Sequence, residues 1–239
     1  YILIYFIVLL NSSFYAQIFN LQQVKKDSSA IIKPKTEKFS SFSKETKVQL
    51  PEIKREFRGV WISTVANINW PSRSNLTTDQ QKSEAIKMLD ILEKSFINVI
   101  ILQVRSSADA YYKSSLEPWS FFLTGELGKA PNPYYDPLEF WITEAHKRNM
   151  ELHVWLNPFR AHYPPTPITN NSVVKMMPEQ IVKLKNGMYW FDPSDEKTQN
   201  HVSKVVNDIV KRYAIDAVHF DDYFYPYKVT GKVFNDSAS

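Results

Sequence analysis

The residues best suited to chemistry are two adjacent carboxylates, Asp221 and Asp222, in the stretch "VHFDDYFYP" (218–226). They close an apolar run and sit within a belt of aromatic residues. Burying a carboxylate is costly unless it is paired or hydrogen-bonded. The stretch is therefore either a catalytic edge or a well-satisfied structural corner. A carboxylate at a strand end, beside His and Arg, suits acid/base or nucleophilic work on a glycosidic bond. Such work normally takes two carboxyl groups, about 5–5.5 Å apart for retention or about 6.5–9.5 Å apart for inversion. Consecutive strand residues point to opposite faces, so Asp221 and Asp222 cannot themselves be that pair. Both are candidate catalytic residues, with Asp221 acting and Asp222 capping or orienting the turn. The second carboxyl is sought in the loops, at Asp109, Glu117 or Glu126, or in strands beyond residue 239.

Four short β-branched and aromatic runs are available to position these groups: "FRGVWIST" (57–64), "NVIILQV" (98–104), "MELHVWL" (150–156) and "DAVHFD" (216–221). Helical patterns separate them. "TTDQQKSEAIKMLDILEKS" (77–95) has Thr78 or Asp79 as its cap and Ile86, Leu89 and Leu92 at helical spacing. "DPLEFWITEAHKRN" (136–149) has Pro137 in its first turn, and "DEKTQNHVSKVVNDIVKRYA" (195–214) is the third helix. Strand alternating with helix predicts parallel βαβ units, hence an α/β fold. The segments from about 105 to 135 and from 157 to 194 read as long loops, and loops of that length are uncommon unless functional. The strand spacing fits the first four units of a (β/α)8 TIM barrel, whose active face is built from the loops that follow the strands. A small open α/β sheet is the alternative.

Period-two alternation splits each strand into an apolar face and a face that turns polar or aromatic toward its C-terminal end. The second set comprises Trp61, Gln103, Arg105, His153, Trp155, Asn157, His219 and Asp221. In a barrel these converge on the top of the lumen. Arg105, His153, Asn157 and His219 would hold sugar hydroxyls or tune Asp221. Asp109, Arg160, Tyr223 and Tyr225 join them as candidate substrate-binding residues, because they lie in the segments after the strands. Rings such as Trp119, Tyr134, Trp190, Tyr223 and Tyr225 can stack on sugar faces, or simply pack the loops.

Other chemistries find less support. His153, His219 and Asp221 make a scattered His₂–carboxylate set for a metal, without HxH or HExxH spacing. No metal site and no cofactor is assigned. "GELGKAP" (125–131) lacks the spacing of a phosphate loop, and no GxSxG marks a serine nucleophile. There is no cysteine, so thiol chemistry and disulfides are excluded. The chain has 239 residues and a net charge of +4, but runs such as "KKDSSAIIKPKTEK" place much of that excess near the N-terminus. That is a solvated tail rather than a nucleic-acid face, so no nucleic-acid partner is expected.

"YILIYFIVLL" (1–10) is too short to span a bilayer and reads as the apolar core of a signal peptide over 1–16. Export to the periplasm or the extracellular space is expected, with no stable membrane span. Residues 17–55, rich in Ser, Lys and Thr, read as a polar linker, leaving 56–239 as the barrel segment.

Taken together, "RGVWISTVANINWP" (58–71), residues 98–161 from "NVIILQVRSSADAYY" to "WLNPFRA", and "VHFDDYFYP" resemble the glycosyl-hydrolase-like family ten. The resemblance covers about residues 55–235. It implies a (β/α)8 barrel, export and glycoside hydrolysis, with the paired-aspartate motif in the active site. The family includes a bacterial peptidoglycan glycosidase, which points to a cell-wall or related polysaccharide strand as the partner. Asn69 stands where the family tends to carry Asp, and "QVRSSAD" where it tends to carry proline after Arg105. The later strands of the family are not in this sequence, so 1–239 is expected to be inactive by itself. A catalytically silent glycan-binding module is the alternative from another class.

Overall fold

The computed structural model describes residues 56–184, 186–221 and 224–227. The signal-peptide and linker expectations, and the assignments of Asp222 and Tyr223, lie outside these residues. Four strands form one parallel sheet in the order β1 (Gly59–Ile62), β2 (Val99–Arg105), β3 (Glu151–Leu156) and β7 (Ala217–Phe220). Between them run α1 (Thr78–Lys94), α3 (Pro137–His146) and α5 (Glu196–Arg212).

Each helix begins where its sequence supplies an acceptor for orphaned N–H groups. In α1 the cap is Thr77 rather than Thr78 or Asp79. Its hydroxyl accepts from Gln80 N–H while the Gln80 side chain bonds back to Thr77 N–H, a complete capping box. Asp136 caps α3 ahead of Pro137, and Asp195 caps α5. One core joins the sheet to all three helices. It contains Ile62, Ile100, Leu102, Leu152, Val154 and Leu156 from the strands, with Leu89, Trp141 and Ile209 among the helical residues. This core lies on one face of the sheet; on the other, Ile101, Gln103 and His153 are buried and Trp61 is half exposed.

Neither long connection is plain loop. The first holds α2 (Phe121–Thr124). The second builds a separate antiparallel sheet in the order β4 (Arg160–His162), β6 (Tyr189–Phe191), β5 (Ile181–Lys183), with α4 (Val173–Met176) packed nearby. Ala161, Val173, Val174 and Phe191 give it a small core of its own. Strands of three residues are too short to show a period, which is why the sequence reads as loop there.

Candidate functional site

The face of the parallel sheet turned away from that core carries the candidate site at the C-terminal ends of β3 and β7. Parallel register sets Trp61 beside Ile101, Ile101 beside His153 and Gln103 beside Trp155, with Trp155 beside His219. Asp221 follows two residues after His219, on the same face. Its Oδ2 accepts from the Trp155 indole Nε1 at 3.1 Å and from Asn157 Nδ2 at 3.0 Å. Both donors meet one carboxylate oxygen, which fixes the orientation of the group.

Aromatic rings line the approach. The indole of Trp61, 46% exposed, meets Trp155 edge-on at 4.9 Å and His219 edge-on at 5.5 Å. Lower in the sheet, His153 Nδ1 and His219 Nε2 are 2.8 Å apart, and His153 Nε2 reaches Glu151 Oε2 at 3.0 Å. Burial, and then the neighbouring His153, hold the His219 imidazole below its ordinary pKa. Glu151 and the Phe57 ring, 5.9 Å from His153, were not singled out from sequence. Glu151 shares the alternation of His153, so the strand pattern itself offered that signal.

Three members of the expected set, Gln103, Arg105 and Asn157, are too buried to serve as the expected substrate contacts, Asn157 because all its polar atoms are engaged within the fold. Gln103 points to this side but is almost fully buried under the end of β1. Its Oε1 accepts from the N–H groups of Thr64 and Val65 at 2.9 Å each and from Ser63 Oγ at 3.1 Å. Arg105 lies on the opposite side. The register slips between Gln103 and Arg105, so Arg105 pairs with Leu156, whose side chain belongs to the core facing the helices. An extra residue in one strand reverses the alternation downstream of it, and sequence alone did not reveal the bulge. Arg105 is fully buried in a bidentate pair with Glu117, Nε to Oε2 at 2.8 Å and Nη2 to Oε1 at 2.6 Å. His201 Nε2, from α5, completes the cluster at 2.8 Å from Glu117 Oε1. Nothing in the sequence distinguishes His201 from a surface histidine.

The three loop carboxylates considered as partners for Asp221 are engaged elsewhere. Glu117 is locked against Arg105 and His201. Asp109 is buried and turns into its own loop, where Oδ1 accepts from Ser106 N–H at 3.0 Å and Ser107 N–H at 2.8 Å. Glu126 forms an exposed pair with Lys129 at 3.0 Å. Arg160 adjoins the site through its backbone: its N–H donates to Asn157 Oδ1 at 2.8 Å. Its guanidinium donates to Ser106 O at 3.3 Å and lies over the rings of Tyr163 and Trp190. Tyr225 is 45% exposed on the segment after β7. Among the described residues, no three His, Asp or Glu side chains are grouped so as to hold a metal ion. None of the described helices is long and apolar enough to cross a membrane.

A parallel α/β sheet with a carboxylate presented at a strand's C-terminal end, beside exposed aromatics, is an arrangement suited to a carbohydrate-active protein. The chain belongs to the glycosyl hydrolase-like 10 family, whose model matches residues 56–239. It is 43% identical over 187 residues to the glycosyl hydrolase YngK of Bacillus subtilis (strain 168), covering 77% of this chain and 36% of that protein. It is 34% identical over 199 residues to the glycosyl hydrolase DigH of Escherichia coli (strain K12), covering 76% and 45% respectively. The chain thus spans less than half the length of these relatives. Among solved structures, α-L-fucosidase isoenzyme 2 from Paenibacillus thiaminolyticus matches with a TM-score of 0.47 at 14% identity, over 70% of this chain and 23% of that one.

Proposed function

We propose that the protein is a glycoside hydrolase acting on a bacterial cell-wall or related polysaccharide glycan, with Asp221 as the reacting carboxylate. The observation that carries this reading is the seating of Asp221. Its Oδ2 is held by Trp155 and Asn157 at a strand end, with the half-exposed Trp61 indole alongside. Two fixed donors orient the carboxylate toward a sugar stacked over the aromatic surface, where it serves as base or nucleophile. His219, Trp61, Tyr223 and Tyr225 are the proposed sugar contacts, and Asp222 is proposed to orient the turn. Both relatives are named as glycosyl hydrolases, which supports the chemistry. The partner carboxyl is a residue other than Asp109 or Glu117, because each of these is buried in bonds of its own. That same engagement favours a second reading, a module that binds glycan without cleaving it.

The four β/α units are further proposed to be the first half of a (β/α)8 barrel, on a chain exported through residues 1–16 and tethered by 17–55. Two features support the half barrel: the half-exposed Trp61 on the face of the sheet turned away from the helices, and a groove of roughly 580 Å³ along the β7 side. Phe159, Val202, Val206, Val210 and Phe220 line that groove. A fifth unit would cover both the strand edge and these apolar side chains.

The test is release of reducing ends by the full-length protein from peptide-stripped peptidoglycan, with other polysaccharides in parallel. Asp221→Asn is expected to lower turnover by about 10²–10⁴-fold while leaving glycan binding largely intact. Binding by the parent without release of reducing ends would establish the module instead.

A further inference from the structure

We propose that Arg105 is a positioning residue for Asp221, acting through Asn157. The proposal rests on Asp221 being the reacting group, but the grip itself is a matter of geometry. Every polar atom of the fully buried Asn157 has a partner, and Arg105 supplies both backbone partners. The Arg105 carbonyl accepts the Asn157 N–H at 2.9 Å, and the Arg105 Nη1 donates back to the Asn157 carbonyl. With its backbone held at both ends, the Asn157 amide is bridged between Arg160 N–H and Asp221 Oδ2.

A plain Arg–Glu pair does not require this arrangement. Glu117 already satisfies Nε and Nη2, yet Nη1 is directed at the end of β3, where it also meets Pro158 O at 3.1 Å. Residue 158 is a proline and carries no N–H, and the ladder between β3 and β7 ends at Leu156 with Phe220. The carbonyls just beyond therefore lie past the sheet ladder, and a buried carbonyl needs a donor. Arg105 provides it from the opposite face. Glu117 and His201 fix the guanidinium from the helix side, and Glu117 stays ionised there. Burial alone would raise its pKa, but the Arg105 charge and the His201 and Arg105 bonds together lower it. The cluster thus links α5 and the β2 loop to the donor that seats the site carboxylate.

Trp155 gives an internal control, because its indole reaches the same Asp221 oxygen without Arg105. In ¹⁵N-labelled full-length protein, Asp221→Asn is expected to shift both the Asn157 side-chain amide and the Trp155 indole resonances. In an Arg105→Lys background, the indole response should persist while the Asn157 response falls to less than half. Should Arg105→Lys fail to fold, the double variant Arg105→Met with Glu117→Leu replaces the buried pair by apolar groups of similar size, which folds tolerate better than a lone charge. An Asn157 response that stays intact in the variant that folds, or that fades together with the indole response, overturns the proposal. On a glycan that the parent cleaves, Arg105→Lys should lower kcat at least tenfold with KM within twofold. A parent that cleaves no glycan removes the reading of Asp221 as the reacting group, while the resonances still decide whether Arg105 holds Asn157.

Discussion

Asp221 and Glu117 are both carboxylates near the C-terminal ends of parallel strands, and their settings differ completely. Asp221 lies on the open face and takes neutral donors, an indole and an amide, on one oxygen. Glu117 lies on the packed face, fully buried, with a guanidinium on both oxygens and an imidazole on one. The indole and the amide orient the Asp221 carboxylate on the site face. A cation in bidentate contact cancels the charge and fixes the geometry. The contrast sets the carboxylate proposed to react apart from one sealed against a guanidinium. Asn157 connects the two, since Arg105 grips its backbone and its side chain seats Asp221.

The largest effect that tests this contrast is on stability. Glu117→Ala leaves the buried Arg105 charge uncompensated and should cost about 3–5 kcal/mol. Asp221→Asn keeps an acceptor oxygen for both donors and should cost less than about 1 kcal/mol. Urea denaturation of the full-length protein measures both, and similar losses would erase the distinction between the two carboxylates.

A smaller effect is expected from Trp155→Phe, which keeps the ring packing near Trp61 but removes one donor from Asp221. A hydrogen bond to a charged group is worth about 1.5–3 kcal/mol, so turnover on a cleaved glycan should fall by roughly ten- to a hundredfold. Unchanged turnover would mean that the Trp155 bond does not seat the carboxylate.

The smallest effect concerns pH. Folding holds His219 below the ordinary histidine value of 6.5, through burial and then His153. As the pH drops below about 6.5, the unfolded chain takes up a proton before the folded protein does, so stability should decline. This contribution is fully present above that pH and is lost on acidification. Comparing urea midpoints at pH 7.5 and 5.5, His219→Phe should show a smaller decline than the parent. An equal decline would assign the pH dependence to other groups, such as His162, which burial also holds low.

Much of this was legible in the chain itself. The four strands, the three long helices and the proline in the first turn of α3 all follow from local periodicity and helix-start chemistry, which neighbouring residues carry between them. Alternation also brought Trp61, His153, Trp155, His219 and Asp221 to one face, because the pleat reverses at every residue. The family resemblance rests on the same strand ends.

Other features needed the tertiary structure. The slip between Gln103 and Arg105 turned Arg105 to the packed side, and a bulge is defined by the partner strand rather than by the strand that carries it. The β4–β6–β5 sheet joins segments up to thirty residues apart, each too short to show a pattern. Glu117 looked like a candidate acid until Arg105, 12 residues earlier, and His201, 84 residues later, closed around it. Sequence determines which side chains a strand offers to each face. Which of them remain open to a substrate depends on what distant segments bring to meet them, and only the folded chain makes those contacts.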